Sequence, residues 1–218
     1  MADYKKPDHW QQKARKEGYP ARSVYKLKEI DEKFKLFNVS QLKGGSRVLD
    51  IGAAPGSWSL YVLRKFSAAG NSSFKKGFLA AADLCALSCE LENDSKNRGL
   101  FNGDNFFFIQ GDVTTNEVRE VLLSKGPYSV IISDAAPNTT GNHTVDSARS
   151  LELAETVIAY AESALVPGGN LAVKVFQGSG VDELLKRMRV LFETAKSFKP
   201  QACRGESVET YFIGLGKK

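Results

Sequence analysis

Arg47-Val-Leu-Asp-Ile-Gly-Ala-Ala-Pro-Gly-Ser-Trp58 decides how the rest of the chain is read. Val48 to Ile51 is a short aliphatic and β-branched run that breaks at Gly52, as a buried parallel strand does on reaching the edge of its sheet. Gly52 and Gly56 let the backbone turn sharply and let a ligand approach it, while Pro55 stiffens the loop. Trp58, Leu60, Val62, Leu63 and Phe66 then recur near helical spacing, so the order is strand, glycine loop, helix. Dinucleotide folds share that order, but their fingerprint needs a glycine two residues after the first to admit a pyrophosphate. Here that position is Ala54. Asp50 at the strand end and a loop without phosphate-binding features suit a ligand carrying an amino acid and a nucleoside; the alternative is a tight structural turn.

The 218 residues fit one domain with a sizeable core. At 42% hydrophobic and 25% charged, the composition is that of an ordinary soluble protein. No window approaches the ~20 apolar residues of a membrane span. The charged N-terminus lacks an apolar leader, and the expected location is the cytoplasm. Cys85, Cys89 and Cys203 are an odd number and read as reduced packing thiols; no metal is expected. The net charge is +5, and its position matters more than its size. Residues 1–28 hold eight basic groups against three acidic ones, which is the whole excess. Interleaved with Tyr4, Trp10, Tyr19 and Tyr25, they read as a basic arm suited to nucleic acid, or more blandly as a solvated helix face.

Along the chain, Asp8 to Glu17 and Ala21 to Phe37 read as helices, the second with Val24, Leu27, Ile30, Phe34 and Phe37 on one stripe and Lys26 beside it. Gln41 to Ser46 is a loop with a Gly44-Gly45 turn. Gly70 to Lys76 reads as a linker and Gly77 to Ala82 as a strand ending in Asp83. That acid is placed to take hydrogen bonds from a ribose diol or to cap a helix. Leu84 to Leu100 is permissive of helix, Asn105 to Gln110 of a strand followed by Asp112, and Val118 to Leu123 of another helix. Ser129 to Ser133 is a strand followed by Asp134-Ala-Ala-Pro-Asn138. Thr144 is the expected cap of the longest helix, Val145 to Leu165, which Pro167-Gly168-Gly169 stops. Leu171 to Phe176 is a strand with Lys174 inside an apolar run, where a charge needs partners. Val181 to Ala195 reads as a helix and Ser207 to Gly214 as the last strand, with Glu209, Tyr211 and Ile213 alternating. His143 reads as a loop residue and His9 as part of the arm. Strands alternate with helices, which predicts an α/β domain with a mainly parallel sheet covered on both faces. Asp50, Asp83, Asp112 and Asp134 end four successive strands, where open parallel sheets hold their ligands.

Gly-Tyr-Pro-Ala-Arg-Ser-Val-Tyr-Lys26-Leu, Asp50-Ile-Gly-Ala-Ala-Pro-Gly-Ser-Trp58, Ser133-Asp134-Ala-Ala-Pro-Asn138, Val173-Lys174-Val-Phe and Arg204-Gly-Glu-Ser-Val-Glu209-Thr-Tyr211 resemble, in order, the signatures of the FtsJ/RrmJ family. That resemblance runs from about Asp8 to the C-terminus. It implies a Rossmann-like methyltransferase with a seven-stranded, mainly parallel sheet, helices on both faces and an antiparallel last strand. Residues 1–40 are then an N-terminal helical arm packed on a catalytic domain at 41–218. The implied activity is methyl transfer from S-adenosylmethionine to an RNA ribose 2′-hydroxyl. The implied catalytic tetrad is Lys26, Asp134, Lys174 and Glu209, and the implied cofactor contacts are Gly56, Trp58, Asp83, Asp112 and Asp134. The chain departs from the family at Pro20, where a basic residue is common, and in its longer Gly70 to Lys76 linker.

Methyl transfer of this kind is an in-line displacement, so an enzyme helps by alignment and by removing the hydroxyl proton. Lys174 is the candidate base. Burial and the second ammonium of Lys26 favour the neutral amine that a base requires, while Asp134 and Glu209 oppose it. The expected division of labour has the two acids orienting Lys174 and the ribose, with Lys26 positioning the hydroxyl. The substrate expected first is a uridine of large-subunit ribosomal RNA, bound by a monomer that uses neither membrane nor DNA. A transfer-RNA 2′-O-methyltransferase is the alternative, and a non-catalytic RNA-binding module of the same fold is a third reading.

Overall fold

The computed structural model describes residues 8–38, 46–68, 77–89, 91 and 95–218. The expected Gly44-Gly45 turn, the Gly70 to Lys76 linker and the first seven residues of the arm lie outside these. Strands β1 (Arg47–Ile51), β2 (Phe78–Asp83), β3 (Phe106–Gln110), β4 (Tyr128–Ser133), β5 (Leu165–Phe176), β6 (Phe192–Phe198) and β7 (Glu209–Lys217) form one sheet in the order β3-β2-β1-β4-β5-β7-β6. The first five pair in parallel, and β7 runs antiparallel between β5 and β6. The order reverses beside β1, and β1 and β4 are neighbours at that switch.

Alternation along each strand sorts the side chains into two layers. Leu49, Ile51, Ile131, Leu171, Val173 and Phe212 face α4 (Asn116–Ser124), α5 (His143–Ala164) and α6 (Val181–Leu191), where Leu122, Val157, Ile158, Leu184 and Met188 complete the core. Val48, Leu79, Val130, Ile132, Ala172, Tyr211 and Ile213 face the other way, against Leu27 and Ile30 of α2 (Val24–Phe34) and Val62, Leu63 and Phe66 of α3 (Ser57–Ala68). Helix α1 (His9–Lys16) joins this side through Ala14, in a cluster with Tyr19, Tyr25 and Leu60.

Several expectations shift. Asp8 caps α1 rather than beginning it, its carboxylate accepting the Gln11 N–H at 2.8 Å. Helix α2 stops at Phe34 because Lys35 turns left-handed, so Leu36 and Phe37 are buried beyond the helix. Leu84 to Cys89 is not helical, and Ser95–Asn97 is a single 3-10 turn. Asn142, not Thr144, caps α5, taking the N–H groups of Thr144 and Val145, and His143 is the first residue of that helix rather than a loop residue.

The larger correction is at the end of the chain. Val181 to Ala195 divides into α6 and the strand β6, which the helical spacing of Leu184, Leu185, Met188, Leu191 and Phe192 had hidden. Phe192 is buried where β6 begins, and Gly214 of β7 lies so close to its ring that a Cβ there would fall at 2.5 Å. Strand β5 likewise starts at Leu165, directly after α5, and Val166 to Gly169 belong to the strand, with a register irregularity where β4 pairs with it.

Candidate active site

Strand parity brings the polar residues to one face. Asp50 lies two residues from Val48, Asp134 two from Ile132, Lys174 two from Ala172, and Glu209 two from Tyr211; Val48, Ile132, Ala172 and Tyr211 all face α2 and α3. In the antiparallel pair, Lys174 lies opposite Tyr211, and side chains at paired positions point to the same side. Helix α2 crosses this face with Lys26 turned inward.

The result is two linked ion pairs. Lys26 Nζ lies 2.8 Å from Glu209 Oε2, and Lys174 Nζ lies 3.1 Å from Asp134 Oδ1 while donating to the Asp134 carbonyl at 2.6 Å. The Tyr211 hydroxyl donates to the same Asp134 Oδ1 at 2.6 Å, and its ring lies 6.0 Å below Lys26 Nζ. All four charged side chains are nearly buried, at 8% to 14% exposed. Burial pushes Asp134 upward, but the charges of Lys174 and Lys26 and the Tyr211 hydroxyl outweigh it and hold its carboxyl below the usual range. Burial likewise pushes Lys26 down, and Asp134 and Glu209 outweigh it, so Lys26 keeps its proton more firmly than an ordinary lysine. Tyr211 is pushed far above its usual range, by burial first and then by Asp134.

The first loop is fixed by tight packing. Gly52 has φ +78°, and a Cβ there would fall 2.5 Å from Ala135, so the loops after β1 and β4 touch. Gly56 has φ +110° and is covered by Leu91, whose Cδ1 would lie 2.4 Å from a Cβ. Trp58 is buried, donating through Nε1 to the Ser23 carbonyl at 2.9 Å, with its ring 5.9 Å from that of Tyr211. Its side chain therefore locks α2 to α3 and does not line the open cleft. Ser57 ties the same elements, exchanging hydrogen bonds with the Ala21 N–H and carbonyl.

Beyond the tips of β1, β2 and β3 lies a cleft lined by Ile51, Gly52, Asp83, Leu84, Gly111, Asp112, Val113, Ala135, Ala136 and Leu153. Its walls are mostly apolar, and Leu84 stands 64% exposed at the rim. Asp83 accepts the Ala54 N–H at 2.9 Å and the Cys85 N–H at 2.8 Å, so it holds the first loop as well as facing the cleft. Asp112 is exposed, and the Thr114 N–H and hydroxyl on its Oδ1 lower its carboxyl. Asp50, fully buried, takes the Ser59 hydroxyl at 2.6 Å on Oδ2, and its Oδ1 has no hydrogen-bond partner among the described residues. Burial, with Asp134 and Asp83 adding their charge, pushes Asp50 up to about 7. An orphan carboxyl oxygen at the strand switch, apolar walls and two rim acids fit a ligand that has an amino-acid end and a nucleoside end.

Asp134, Lys174, Lys26 and Glu209 are thus brought together and Asp83 and Asp112 share the neighbouring cleft, whereas Gly56 lies under Leu91 and Trp58 is buried against Ser23, neither lining that cleft. Sequence reasoning missed Tyr211 as a member of the charged cluster. The signal was its even spacing from Glu209, but the partner strand that sets it against Lys174 is legible only in the fold.

A seven-stranded sheet with this order, carrying polar residues at its strand tips, defines a Rossmann-like methyltransferase. Residues 19–217 match the family described as FtsJ-like methyltransferase, and the chain belongs to that family. Among curated relatives, "Ribosomal RNA large subunit methyltransferase E" of Treponema denticola is 44% identical over 99% of this chain and 97% of its own length. The protein of the same name from Borreliella afzelii is 42% identical over 95% and 96%. Among solved structures, a chain described as a ribosomal RNA methyltransferase of Plasmodium falciparum superposes with a TM-score of 0.69 at 24% identity, covering 91% of this chain and 98% of that one, a likeness of fold.

Proposed function

We propose that this protein transfers a methyl group from S-adenosylmethionine to a ribose 2′-hydroxyl of large-subunit ribosomal RNA, at a uridine. The observation that carries the reading is the buried Lys26–Glu209 and Lys174–Asp134 arrangement beside the cleft at the strand tips that Asp83 and Asp112 line. Bound S-adenosylmethionine supplies an electrophilic methyl group. In the proposed arrangement, Asp83 and Asp112 hold the ribose and adenine, and Gly56, packed under Leu91, keeps the first loop tight beside them. Trp58 backs the loop, and Asp134 and Asp50 receive the amino-acid end.

The chain's own chemistry is alignment and proton handling. Lys174 Nζ, held by the Asp134 carboxylate and carbonyl, is the group proposed to take the 2′-hydroxyl proton, a step that requires its neutral amine. Lys26 stays charged, fixed by Glu209, and stabilises oxygen as its negative charge develops. Tyr211 keeps the shared oxygen of Asp134 facing Lys174. Names of the curated relatives support the ribosomal substrate. We place residues 1–40 as an RNA-facing arm on a catalytic domain at 41–218. We propose a cytoplasmic monomer that does not act on DNA; no helix among the described residues is long and apolar enough to cross a membrane.

Incubation with labelled S-adenosylmethionine and either large ribosomal subunits lacking the mark or bulk transfer RNA, followed by mapping of the modified nucleotide, tests the reading. A 2′-O-methyluridine in large-subunit RNA is expected. Label confined to transfer RNA would overturn the substrate, and a base or protein product would overturn the chemistry.

A further inference from the structure

Strand β5 leaves the sheet through Gln177, three residues beyond Lys174. The backbone there is fixed on both sides. The Phe176 N–H donates to Ser150 Oγ at 2.9 Å, and the Gln177 N–H donates to the Val208 carbonyl at 2.9 Å. Gly178 then packs onto α5, where a Cβ would fall 2.6 Å from Ser147. The Gln177 side chain, by contrast, is exposed, and among the described residues no hydrogen bond commits its amide. A fixed backbone under an uncommitted amide is the arrangement of a contact residue rather than of a structural one. Val208 completes the feature. Phe176 pairs with Glu209, so Gln177 and Val208 stand opposite each other one step further along the antiparallel ladder. Opposed residues turn their side chains to the same side, and alternation makes it the side away from Lys174 and Glu209, toward α5. Val208 is 39% exposed. Leu84 is left open in the same way beside Asp83, at the rim of the neighbouring cleft, so each half of the site has an apolar residue standing in solvent at its edge.

We propose that Val208 and Gln177 seat the base of the nucleotide whose ribose reaches Lys174: Val208 packs on the face of the ring, and the Gln177 amide pairs with its hydrogen-bonding edge. The inference rests on RNA being the substrate and says how that substrate is held. In-line transfer puts the methyl donor and the hydroxyl on one line, and the cleft for the donor lies beyond the tips of β1, β2 and β3. The base hangs from the ring carbon next to the one that bears the 2′-hydroxyl, so it leaves on the side that the donor does not occupy. In the strand order that side is β5 and β7. A nucleoside laid across their tips has its ribose on the α2 side, at the tetrad, and its base on the α5 side, at Gln177 and Val208. A glutamine amide offers an acceptor and a donor side by side, which match the N3–H and O4 of uracil. The pair would select the nucleotide, leaving the proton chemistry to the buried cluster.

The test uses the full chain, with large ribosomal subunits for turnover and a uridine trinucleotide, with or without its central base, for binding. Removing that base should weaken binding to the unsubstituted protein about tenfold. Gln177→Ala keeps the backbone bond to Val208. It should bind the two trinucleotides equally, within about twofold, and raise the KM for subunits about tenfold with a smaller change in kcat. Val208→Ser should show the same pattern more weakly, and affinity for S-adenosylmethionine should stay within about twofold in both variants. An unsubstituted protein indifferent to the base, or a Gln177→Ala protein that still loses about tenfold when the base is removed, would overturn the seat. If the unsubstituted protein methylates no RNA while its preference for the intact trinucleotide vanishes in Gln177→Ala, the catalytic reading fails and the seat stands.

Discussion

Lys26, Asp134, Lys174 and Glu209 meet as side chains from four separate elements, whereas Asp83 and Asp112, at the other end of the strand tips, are held by nearby backbone groups. In the first region, charge neutralises charge in near-complete burial, and removing one member leaves its partner exposed to the full desolvation penalty. In the second, amide groups of the loops orient exposed or half-exposed acids toward a cleft. The contrast teaches that the reacting end is preassembled by tertiary packing, while the cofactor end is preassembled by turns. Asp50 sits between them, buried like the first region but with an oxygen left open like the second.

The strongest way to break this contrast is Lys174→Ala. If Lys174 is the base, transfer at saturating S-adenosylmethionine should fall by about 10²- to 10⁴-fold while cofactor affinity stays within a few-fold. Near-normal turnover in single-turnover assays would remove Lys174 from the chemistry.

Asp50 gives the next largest effect, read in stability. Its carboxyl titrates near 7 in the fold and at about 3.9 in an unfolded chain. Between those pH values the folded state holds a proton that the unfolded state has released, so this group's contribution falls as pH rises from about 4 to 7. Asp50→Asn removes the titration and still accepts from Ser59. Relative to the unsubstituted protein, it should gain stability as pH rises through that window, up to a ceiling of roughly 4 kcal/mol. Denaturant midpoints at pH 5 and pH 8 without cofactor check this; an equal difference at both pH values would show that Asp50 does not titrate there.

Asp83→Ala sharpens the other half. It deletes the acceptor for Ala54 and Cys85 and should weaken S-adenosylmethionine binding by about tenfold, near 1.4 kcal/mol, with kcat at saturation changed less than threefold. A kcat loss as large as that of Lys174→Ala would merge the two regions into one. The smallest effect belongs to Asn142→Ala, which removes the cap of α5 and should cost about 1 kcal/mol in thermal or chemical unfolding without changing transfer at saturation.

Strand tips and loops were legible because their signals are local. The break at Gly52 and the acids at positions 50, 83, 112 and 134 follow from spacing over a few residues. Strand β6 was not legible, since Phe192 continues a helical stripe and only pairing with β7 makes it a strand. Nor was the Asn142 cap, one of several polar residues in Asn138 to Thr144 able to serve. Lys174 stood out as a charge in an apolar run, but nothing near it in sequence named its partners.

By itself, then, the sequence determined an alternating α/β chain, a glycine loop unsuited to pyrophosphate, and a lysine that had to be paired. Tertiary structure decided that Asp134 is its partner, with Tyr211 on the same carboxylate oxygen, and that Glu209 holds Lys26 instead. The division has a physical cause: turns and strand periodicity are fixed by backbone geometry over a few residues, whereas which charges meet depends on strand order and on the face each strand turns inward.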